Sequence, residues 1–159
     1  MNKKIEEIIQ ILQTKKQTIS TMESCTGGSL VNAITNIDGA SNIIKFSAIT
    51  YSNEYKIKMG VNKTTIEKYT VYSVQVAKEM SKAITKFTNS NYGIGITGKL
   101  NKKDENNLYG SDNEVFVSIY NKDNDEYTTL SITVNKKTKK ENKEDVINII
   151  IDNLYKILK

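Results

Sequence analysis

The sequence predicts an α/β fold in which a mixed β-sheet lies between layers of helices. Apolar residues recur at helical spacing near both ends of the chain, in residues 3–15 and 143–158. Short β-branched segments alternate with helical segments in the first half, and residues 114–120 and 126–134 have the pattern of a late hairpin. Strands that alternate with helices form a parallel sheet, to which a hairpin adds antiparallel strands.

The first half of the chain repeats the order strand, turn, helix. Residues 17–22 alternate in polarity and are rich in β-branched side chains, and the glycines after them precede an apolar helical face. Ser52, at the end of the next apolar segment, is a preferred residue for capping a helix N-terminus. The predicted elements are helix 3–15, strand 17–22, helix 28–37, turn 38–41, strand 43–52 and short helix 53–59.

The second half completes the sheet. Ser73 is predicted to cap a long helix, and Gly93 and Gly95 in the next strand predict the close approach of another backbone. Residues 98–113 form a long polar loop, a class of loop that is commonly functional or disordered. The predicted buried side of the long helix consists of Val74, Ala77, Met80, Ile84 and Phe87. The other predicted elements are short helix 64–70, strand 92–97, strands 114–120 and 126–134, and helix 143–158.

The composition predicts one soluble domain over residues 1–159 and restricts its chemistry. The chain is 38% hydrophobic and 26% charged, and it contains no His, Arg, Trp or Pro. Without His, a Ser-His-Asp triad, a Cys-His pair and the usual catalytic zinc sites are excluded. A general base must therefore be Lys, Asp, Glu or Tyr. The acidic residues form no recognisable metal spacing, so we expect no metal and no cofactor.

Charge and cysteine usage indicate the surroundings of the protein. The net charge is +5, partly from the lysine-rich segment 135–143, but no Arg is available for reading base edges and few aromatic residues lie nearby. We therefore expect a solvated surface there, with no nucleic-acid partner and no membrane span. The N-terminal segment lacks the pattern of a signal peptide, and a lone cysteine, Cys25, fits a reducing cytoplasm.

Candidate site residues follow three predicted strands, where ligands of open α/β sheets bind. The first segment, ESCTGG, offers the hydroxyls of Ser24 and Thr26 and two glycines that let backbone N–H groups approach an anion. An ordinary helix cap with a strained turn explains the same residues, and the segment alone leaves the choice open. Cys25 lacks a His partner and is interpreted as a small buried side chain.

The second segment, TYSNEYK, places Tyr51 at a strand end and Lys56 about one turn into a helix. Burial and the positive end of a helix both favour a neutral lysine amine, which is the form that accepts a proton. A serine nucleophile with a Lys or Lys/Tyr base is thus one of the few covalent mechanisms available. A surface lysine beside a half-buried tyrosine is the alternative interpretation. The third segment is Thr97–Gly98.

These motifs together resemble a known family. ESCTGG, DGAS, TYSNEYK, MGVNKTTIEKYTVYSVQVAKEM and GITG occur in the order and spacing of the CinA C-terminal domain family, over residues 3–98. The match over residues 114–159 rests on the pattern of a hairpin followed by a helix. Members of the family are nicotinamide mononucleotide deamidases. The resemblance implies a three-layer α/β/α sandwich and a role in NAD salvage.

The implied reaction is hydrolysis of the carboxamide of nicotinamide mononucleotide to nicotinic acid mononucleotide and ammonia, without a metal. Ser24, Tyr51 and Lys56 match catalytic positions, with Ser24 predicted as nucleophile or oxyanion partner, Lys56 as base and Tyr51 as orienting or relaying group. Whether Ser24 or Ser41 attacks is left open. The matching substrate-binding residues are Glu23, Thr26, Gly27, Gly28, Ser41, Thr97 and Gly98. The resemblance also implies a homodimer.

Two departures from the family pattern support an alternative. After GITG the family has a Pro- and Gly-rich loop, whereas residues 99–113 contain no Pro and no Gly before Gly110. The family also carries Arg near the start of its last helix, where Lys140 or Lys143 would supply only a point charge. The alternative is a catalytically impaired module that binds a nucleotide or a protein.

Overall fold

The computed structural model describes all 159 residues, as a five-stranded sheet with six α-helices. One 3₁₀ turn, Ala40–Asn42, precedes the second strand. The strands are β1 (Ile19–Glu23), β2 (Ala48–Ile49), β3 (Tyr92–Gly98), β4 (Glu114–Asn121) and β5 (Glu126–Thr133). The helices are α1 (Asn2–Lys15), α2 (Ser29–Thr35), α3 (Asn53–Lys58), α4 (Lys63–Tyr69), α5 (Val74–Thr88) and α6 (Lys139–Leu158).

The sheet is mixed and has the order β2-β1-β3-β4-β5. Strands β1, β2 and β3 run parallel, and β4 and β5 add to β3 as an antiparallel hairpin. Helices α1, α2 and α6 pack on one face around the larger apolar core, and α4 and α5 cover the other face around a smaller one. The predicted three-layer α/β/α sandwich with a mixed sheet is confirmed. No helix is long and apolar enough to cross a membrane.

The backbone of α5 lies directly on strand β3, as the two glycines in that strand predict. A methyl group at Gly93 would collide with the carbonyl oxygen of Ser81, and one at Gly95 would collide with that of Ala77. Only glycine fits at these positions, because the neighbouring atoms belong to the helix backbone and cannot rotate away. The helix itself begins at Ser73, whose Oγ accepts a hydrogen bond from the N–H of Val76, as predicted.

The extent of β2 and the start of α6 differ from the predictions. Strand β2 has only two residues instead of the predicted 43–52, because Ile43 and Ile44 leave the 3₁₀ turn and bury their side chains in the larger core without joining the sheet. Helix α6 begins at Lys139, four residues before the predicted start. Thr138 caps it: its Oγ accepts from the N–H of Glu141, whose carboxylate accepts from the N–H of Thr138.

The predicted buried side of α5 is rotated from the observed one. Phe87 is 64% exposed and stacks against Phe46 on the surface, with the ring centroids 5.2 Å apart. Val74 at the first helical position is only half-buried. The observed buried residues are Val76, Ala77, Met80, Ser81, Ile84 and Thr85. Ala77, Met80 and Ile84 are buried as predicted, whereas the apolar pattern missed Ser81 and Thr85, which are buried where α5 lies on β3.

Candidate active site

The parallel strands bring the three predicted segments to one edge of the sheet. Glu23 at the end of β1 is in register with Ile49 of β2 and with Ile96 of β3, and the N–H of Ser24 donates to the carbonyl oxygen of Ile96 at 3.0 Å. Ser24, Tyr51 and Gly98 consequently line one cleft, with a volume of about 410 Å³. This volume lies in the range of small-molecule sites.

Lys56 and Ser24 are hydrogen-bonded at the floor of this cleft. Ser52 caps α3 by accepting from the N–H of Tyr55, and the helix then points Lys56 inward one turn later. The Nζ of Lys56 donates to Ser24 Oγ at 2.9 Å and to the carbonyl oxygen of Thr50 at 2.7 Å. Lys56 is only 2% exposed and forms no salt bridge. Burial lowers the pKa of Lys56 to about 8.

Cys25 and Tyr51 also line the cleft but differ in environment. Burial raises the pKa of Cys25 to about 12, so its side chain is a thiol at neutral pH and not a thiolate nucleophile. The environment therefore agrees with the interpretation of Cys25 as a small buried side chain. Tyr51 is 65% exposed, so its ring and hydroxyl face the open part of the cleft.

Glu23 and Thr26 are buried beneath the cleft and are bonded to each other and to the helix. The carboxylate of Glu23 accepts from Thr26 Oγ1 at 2.6 Å and from the N–H groups of Leu30 and Val31 at 3.0 and 2.9 Å. A fourth donor is the hydroxyl of Thr21. Glu23 therefore occupies the N-terminus of α2 from inside the protein, and neither side chain lines the cleft.

The two glycines of ESCTGG make the turn between β1 and α2. Gly27 and Gly28 have φ values of 59° and 94°, a left-handed region that side chains disfavour. Gly27 is exposed, and a methyl group there would lie 3.4 Å from the Nζ of Lys143. A methyl group at Gly28 would lie 3.0 Å from a side-chain carbon of Ile49. The turn thus needs glycine at both positions for backbone reasons alone.

The remaining predicted residues fall in different places. Gly98 lines the cleft, whereas the buried Thr97 donates from Oγ1 to the carbonyl oxygen of Val71 at 3.0 Å. Ser41 lies exposed on the 3₁₀ turn and is not among the residues that line the cleft. The structure therefore brings Ser24, Tyr51, Lys56 and Gly98 together and leaves Ser41 apart.

The loop of residues 99–113, called here the roof loop, covers the cleft. The hydroxyl of Tyr72 donates to the carboxylate of Asp104 in this loop. Asn53 at the start of α3 donates from its side chain to that of Asn107 at 3.1 Å. At the base of the loop, Lys99 and Asp112 form a salt bridge of 3.3 Å. The loop is therefore attached to both walls of the cleft by side chains.

The charge of Asp104 is fixed by its hydrogen bonds. Partial burial opposes ionisation, but the bonds from Tyr72, the N–H of Asn106 and the side chain of Asn107 hold the pKa of Asp104 below its ordinary value. Burial, followed by the bond to this carboxylate, raises the pKa of Tyr72. Asp104 is therefore an anion and Tyr72 a neutral donor at neutral pH.

Several cleft residues were not identified as candidates from the sequence. The length and polarity of the roof loop were the available signal for its contribution. Asn53 lies inside the candidate segment TYSNEYK but was given no role, and no candidate segment contains Tyr72. Lys139, the first residue of α6, lines the cleft, whereas Lys140 and Lys143 line a neighbouring groove. The unanticipated lining residues are Asn53, Tyr72, Lys99, Lys102, Lys103, Asp104, Glu105, Asn106, Asn107 and Lys139.

Comparison with known proteins identifies the family. The model of the CinA C-terminal domain matches residues 1–158. The chain belongs to the CinA C-terminal domain family. It is 48% identical over 96 residues to a protein of Alkaliphilus oremlandii whose name describes a competence-damage inducible protein, and the match covers 59% of this chain and 23% of that protein. It is 41% identical over 113 residues to a CinA-like protein of Flavobacterium psychrophilum, covering 69% and 26% respectively.

Solved structures share the CinA fold over nearly the whole chain. A competence or damage-inducible protein from Enterobacter asburiae has a TM-score of 0.91 at 19% identity, covering 99% of this chain and 98% of that one. The competence/damage inducible protein CihA from Agrobacterium tumefaciens has a TM-score of 0.88 at 21% identity, covering 99% and 95%. At these identities the likeness establishes the fold. The chain spans about a quarter of the length of the curated relatives that it matches.

Proposed function

We propose that the protein hydrolyses the carboxamide of nicotinamide mononucleotide, releasing nicotinic acid mononucleotide and ammonia. The observation that supports this most directly is the 2.9 Å hydrogen bond between Lys56 Nζ and Ser24 Oγ at the floor of the cleft. A buried lysine with a pKa of about 8 and no acidic partner is a usable proton acceptor near neutral pH. Ser24 is therefore our proposed nucleophile, in preference to the exposed Ser41.

In the first step, neutral Lys56 accepts the hydroxyl proton of Ser24 while Ser24 Oγ forms a bond to the carboxamide carbon. The carbonyl π electrons move to the oxygen, which gives a tetrahedral oxyanion. The N–H groups of Cys25 and Thr26 donate to no backbone carbonyl, and we assign to them the stabilisation of that charge. Tyr51, at the open side of the cleft, orients the carboxamide or relays a proton.

In the second step, the Lys56 ammonium returns the proton to the amide nitrogen, the C–N bond breaks, and ammonia leaves. Ser24 then carries the acyl group as an ester, and Lys56 is neutral again. Water attacks this ester with Lys56 as the proton acceptor, which releases nicotinic acid mononucleotide and restores the Ser24 hydroxyl. Lys56 is thus the proton acceptor and donor in both steps, directly or with Tyr51 as a relay.

The cleft also suits the phosphate of a nucleotide. Lys102, Lys103 and Lys139 line it and form no salt bridge, so their charges are open to an anionic ligand. Lysines bind phosphate as point charges, without the bidentate geometry of arginine. The lysines that line the cleft therefore favour the hypothesis of a phosphorylated substrate over that of an uncharged amide.

The decisive experiment measures ammonia release from nicotinamide mononucleotide by the purified protein and by Lys56→Met. We expect the substitution to lower kcat by about 10²- to 10⁴-fold, which is the range attributed to a general base. Lys58→Met is the matched control, because Lys58 lies on the same helix with its side chain 58% exposed, and we expect it to retain activity.

Two other outcomes would redirect the assignment. Nucleotide binding without ammonia release would contradict the amidohydrolase and favour the alternative of a catalytically impaired binding module. Equal losses in Lys56→Met and Lys58→Met would contradict the role of Lys56 as the base. Melting temperatures of all three proteins, measured alongside, separate loss of chemistry from loss of folding.

A further inference from the structure

The cleft contains one fixed carboxylate among several lysines. Its lining includes Lys99, Lys102, Lys103 and Lys139 but only two acidic residues, Asp104 and Glu105. Asp104 is held by three donors, the hydroxyl of Tyr72, the N–H of Asn106 and the side chain of Asn107. Glu105 is exposed and makes no hydrogen bond. A carboxylate oriented in this way is preorganised toward one part of the cleft.

The negative charge of Asp104 is not neutralised by a direct ion pair. No lysine nitrogen lies within 4.0 Å of its carboxylate. Lys99 and Lys56 influence Asp104 only through longer-range charge interactions. Lys99 is paired with Asp112 at 3.3 Å, and its Nζ lies 5.0 Å from the ring centroid of Tyr72. The carboxylate therefore has no direct cationic partner and can attract a positively charged group of a ligand.

The ring of Tyr51 offers a second attraction for a cation in the same cleft. It is 65% exposed, and none of the lysines that lie over tyrosine rings in this protein covers it. Hydrogen bonds between side chains connect the segment that contains Tyr51 to Asp104. Asn53, two residues after Tyr51, donates to Asn107, and Asn107 donates to Asp104. Exposed tyrosine faces bind cations within about 6 Å of the ring centroid.

We propose that Asp104 and the ring of Tyr51 form a subsite for a positively charged aromatic ring, so that the cleft selects a pyridinium over the corresponding neutral ring. This inference rests on the proposed function. The carboxamide of nicotinamide mononucleotide is attached to a ring whose nitrogen is quaternary and carries a full positive charge. Four lysines in the lining repel that ring, and Asp104 offsets the repulsion where the ring lies. The lysines attract the phosphate at the other end of the same substrate.

The test compares two nucleotides that differ in ring charge. Nicotinamide mononucleotide has a pyridinium ring, and its reduced form has an uncharged dihydropyridine ring with the same carboxamide, ribose and phosphate. Dissociation constants are measured by calorimetry for Ser24→Ala, which prevents turnover, and for Ser24→Ala combined with Asp104→Asn. We expect Asp104→Asn to weaken binding of the oxidised nucleotide about tenfold, which is about 1.4 kcal/mol, and to change the reduced one less than about twofold.

Glu105→Gln, in the same Ser24→Ala background, is the matched control. It removes the same charge from the adjacent residue of the same loop, but Glu105 has no bonded partner in the cleft. We expect the affinities for both nucleotides to stay within about twofold, since an unfixed exposed charge is screened by solvent. Equal losses in Asp104→Asn and Glu105→Gln would overturn the subsite in favour of a general charge effect.

The remaining outcomes separate this subsite from the reaction. If Asp104→Asn weakens the binding of both nucleotides equally, or of neither, the proposed subsite is wrong. Ammonia release by the unsubstituted protein would still support the amidohydrolase. If Asp104→Asn loses the preference for the charged ring but the unsubstituted protein releases no ammonia, the subsite is supported and the proposed reaction is contradicted. Failure of the unsubstituted protein to bind or hydrolyse either nucleotide overturns both proposals.

Discussion

The floor of the cleft is held by backbone and buried groups, whereas its roof is held by side chains of an irregular loop. The floor consists of residues 23–28 and Lys56, fixed by the register of three parallel strands. The roof loop, 99–113, is attached through Tyr72–Asp104, Asn53–Asn107 and Lys99–Asp112. The difference predicts that substitutions in the roof loop cost less stability than substitutions at the floor.

The largest expected effect is at the floor. Glu23→Gln replaces a fully buried carboxylate that accepts four hydrogen bonds, and the new amide group turns a donor toward donors at the N-terminus of α2. We expect a loss of about 3 kcal/mol in the free energy of unfolding. Urea unfolding monitored by circular dichroism measures it.

The matched control is Glu105→Gln in the roof loop, for which we expect a change below about 0.5 kcal/mol. Equal losses of stability in Glu23→Gln and Glu105→Gln would contradict the difference between floor and roof. Ammonia release by Glu23→Gln should fall as well, because Ser24 follows Glu23 directly and its position depends on the same turn.

An intermediate effect concerns the pH dependence of stability. The pKa of Lys56 is lowered by burial from 10.5 to about 8 in the folded protein, so the unfolded chain binds this proton more tightly. The folded state therefore bears the cost of the buried charge below pH 8 and is relieved of it as the pH rises toward 10.5. Relative to Lys56→Met, the unsubstituted protein should gain about 2 kcal/mol of stability between pH 7 and 10.

Urea unfolding of both proteins at several pH values checks this difference, since the other lysines cancel in the comparison. Lys58→Met should run parallel to the unsubstituted protein, because Lys58 is exposed. Parallel curves for Lys56→Met would mean that the amine is not desolvated in the folded state, and the proposed base would lose its physical basis.

The smallest effect is expected at the roof. Tyr72→Phe removes only the hydroxyl that donates to Asp104. We expect a loss below about 1 kcal/mol in stability, together with faster amide hydrogen exchange confined to residues 99–113. Tyr69→Phe is the control, because Tyr69 is exposed at the end of α4. Faster amide hydrogen exchange in β1 as well would show that the roof loop stabilises the floor. The two regions would then not be independent.

The same distinction explains what the sequence could predict. Ser24, Tyr51 and Gly98 were found because each lies at or just after the end of a strand, and parallel strand ends meet at one edge. Lys56 was found from its place about one turn into the helix that Ser52 caps, from which it reaches Ser24. The Tyr72–Asp104 contact joins residues 32 positions apart through an irregular loop, so no local pattern contains it. The catalytic and binding roles of the predicted site residues stay predictions. The single-domain organisation and the homodimer also stay predictions.

Other errors have local causes. The strand predicted over 43–52 shrank to Ala48–Ile49, because apolar β-branched residues fill a core as readily from a turn as from a strand. Phe87 was assigned to the buried side of α5 by its apolarity, yet its ring is exposed and lies against Phe46 on the surface. Both cases show tertiary packing overriding a correct local signal.

The carboxylate of Glu23 at the N-terminus of α2 affects how dissolved ions influence substrate binding. Because that helix end is already occupied from within, a substrate phosphate is left to the lysines around the cleft mouth. Attraction between partly exposed lysines and phosphate is screened by dissolved ions. On the proposed function, the capture of substrate is thereby coupled to the ionic strength around the protein, while the chemistry on the buried floor is insulated from it.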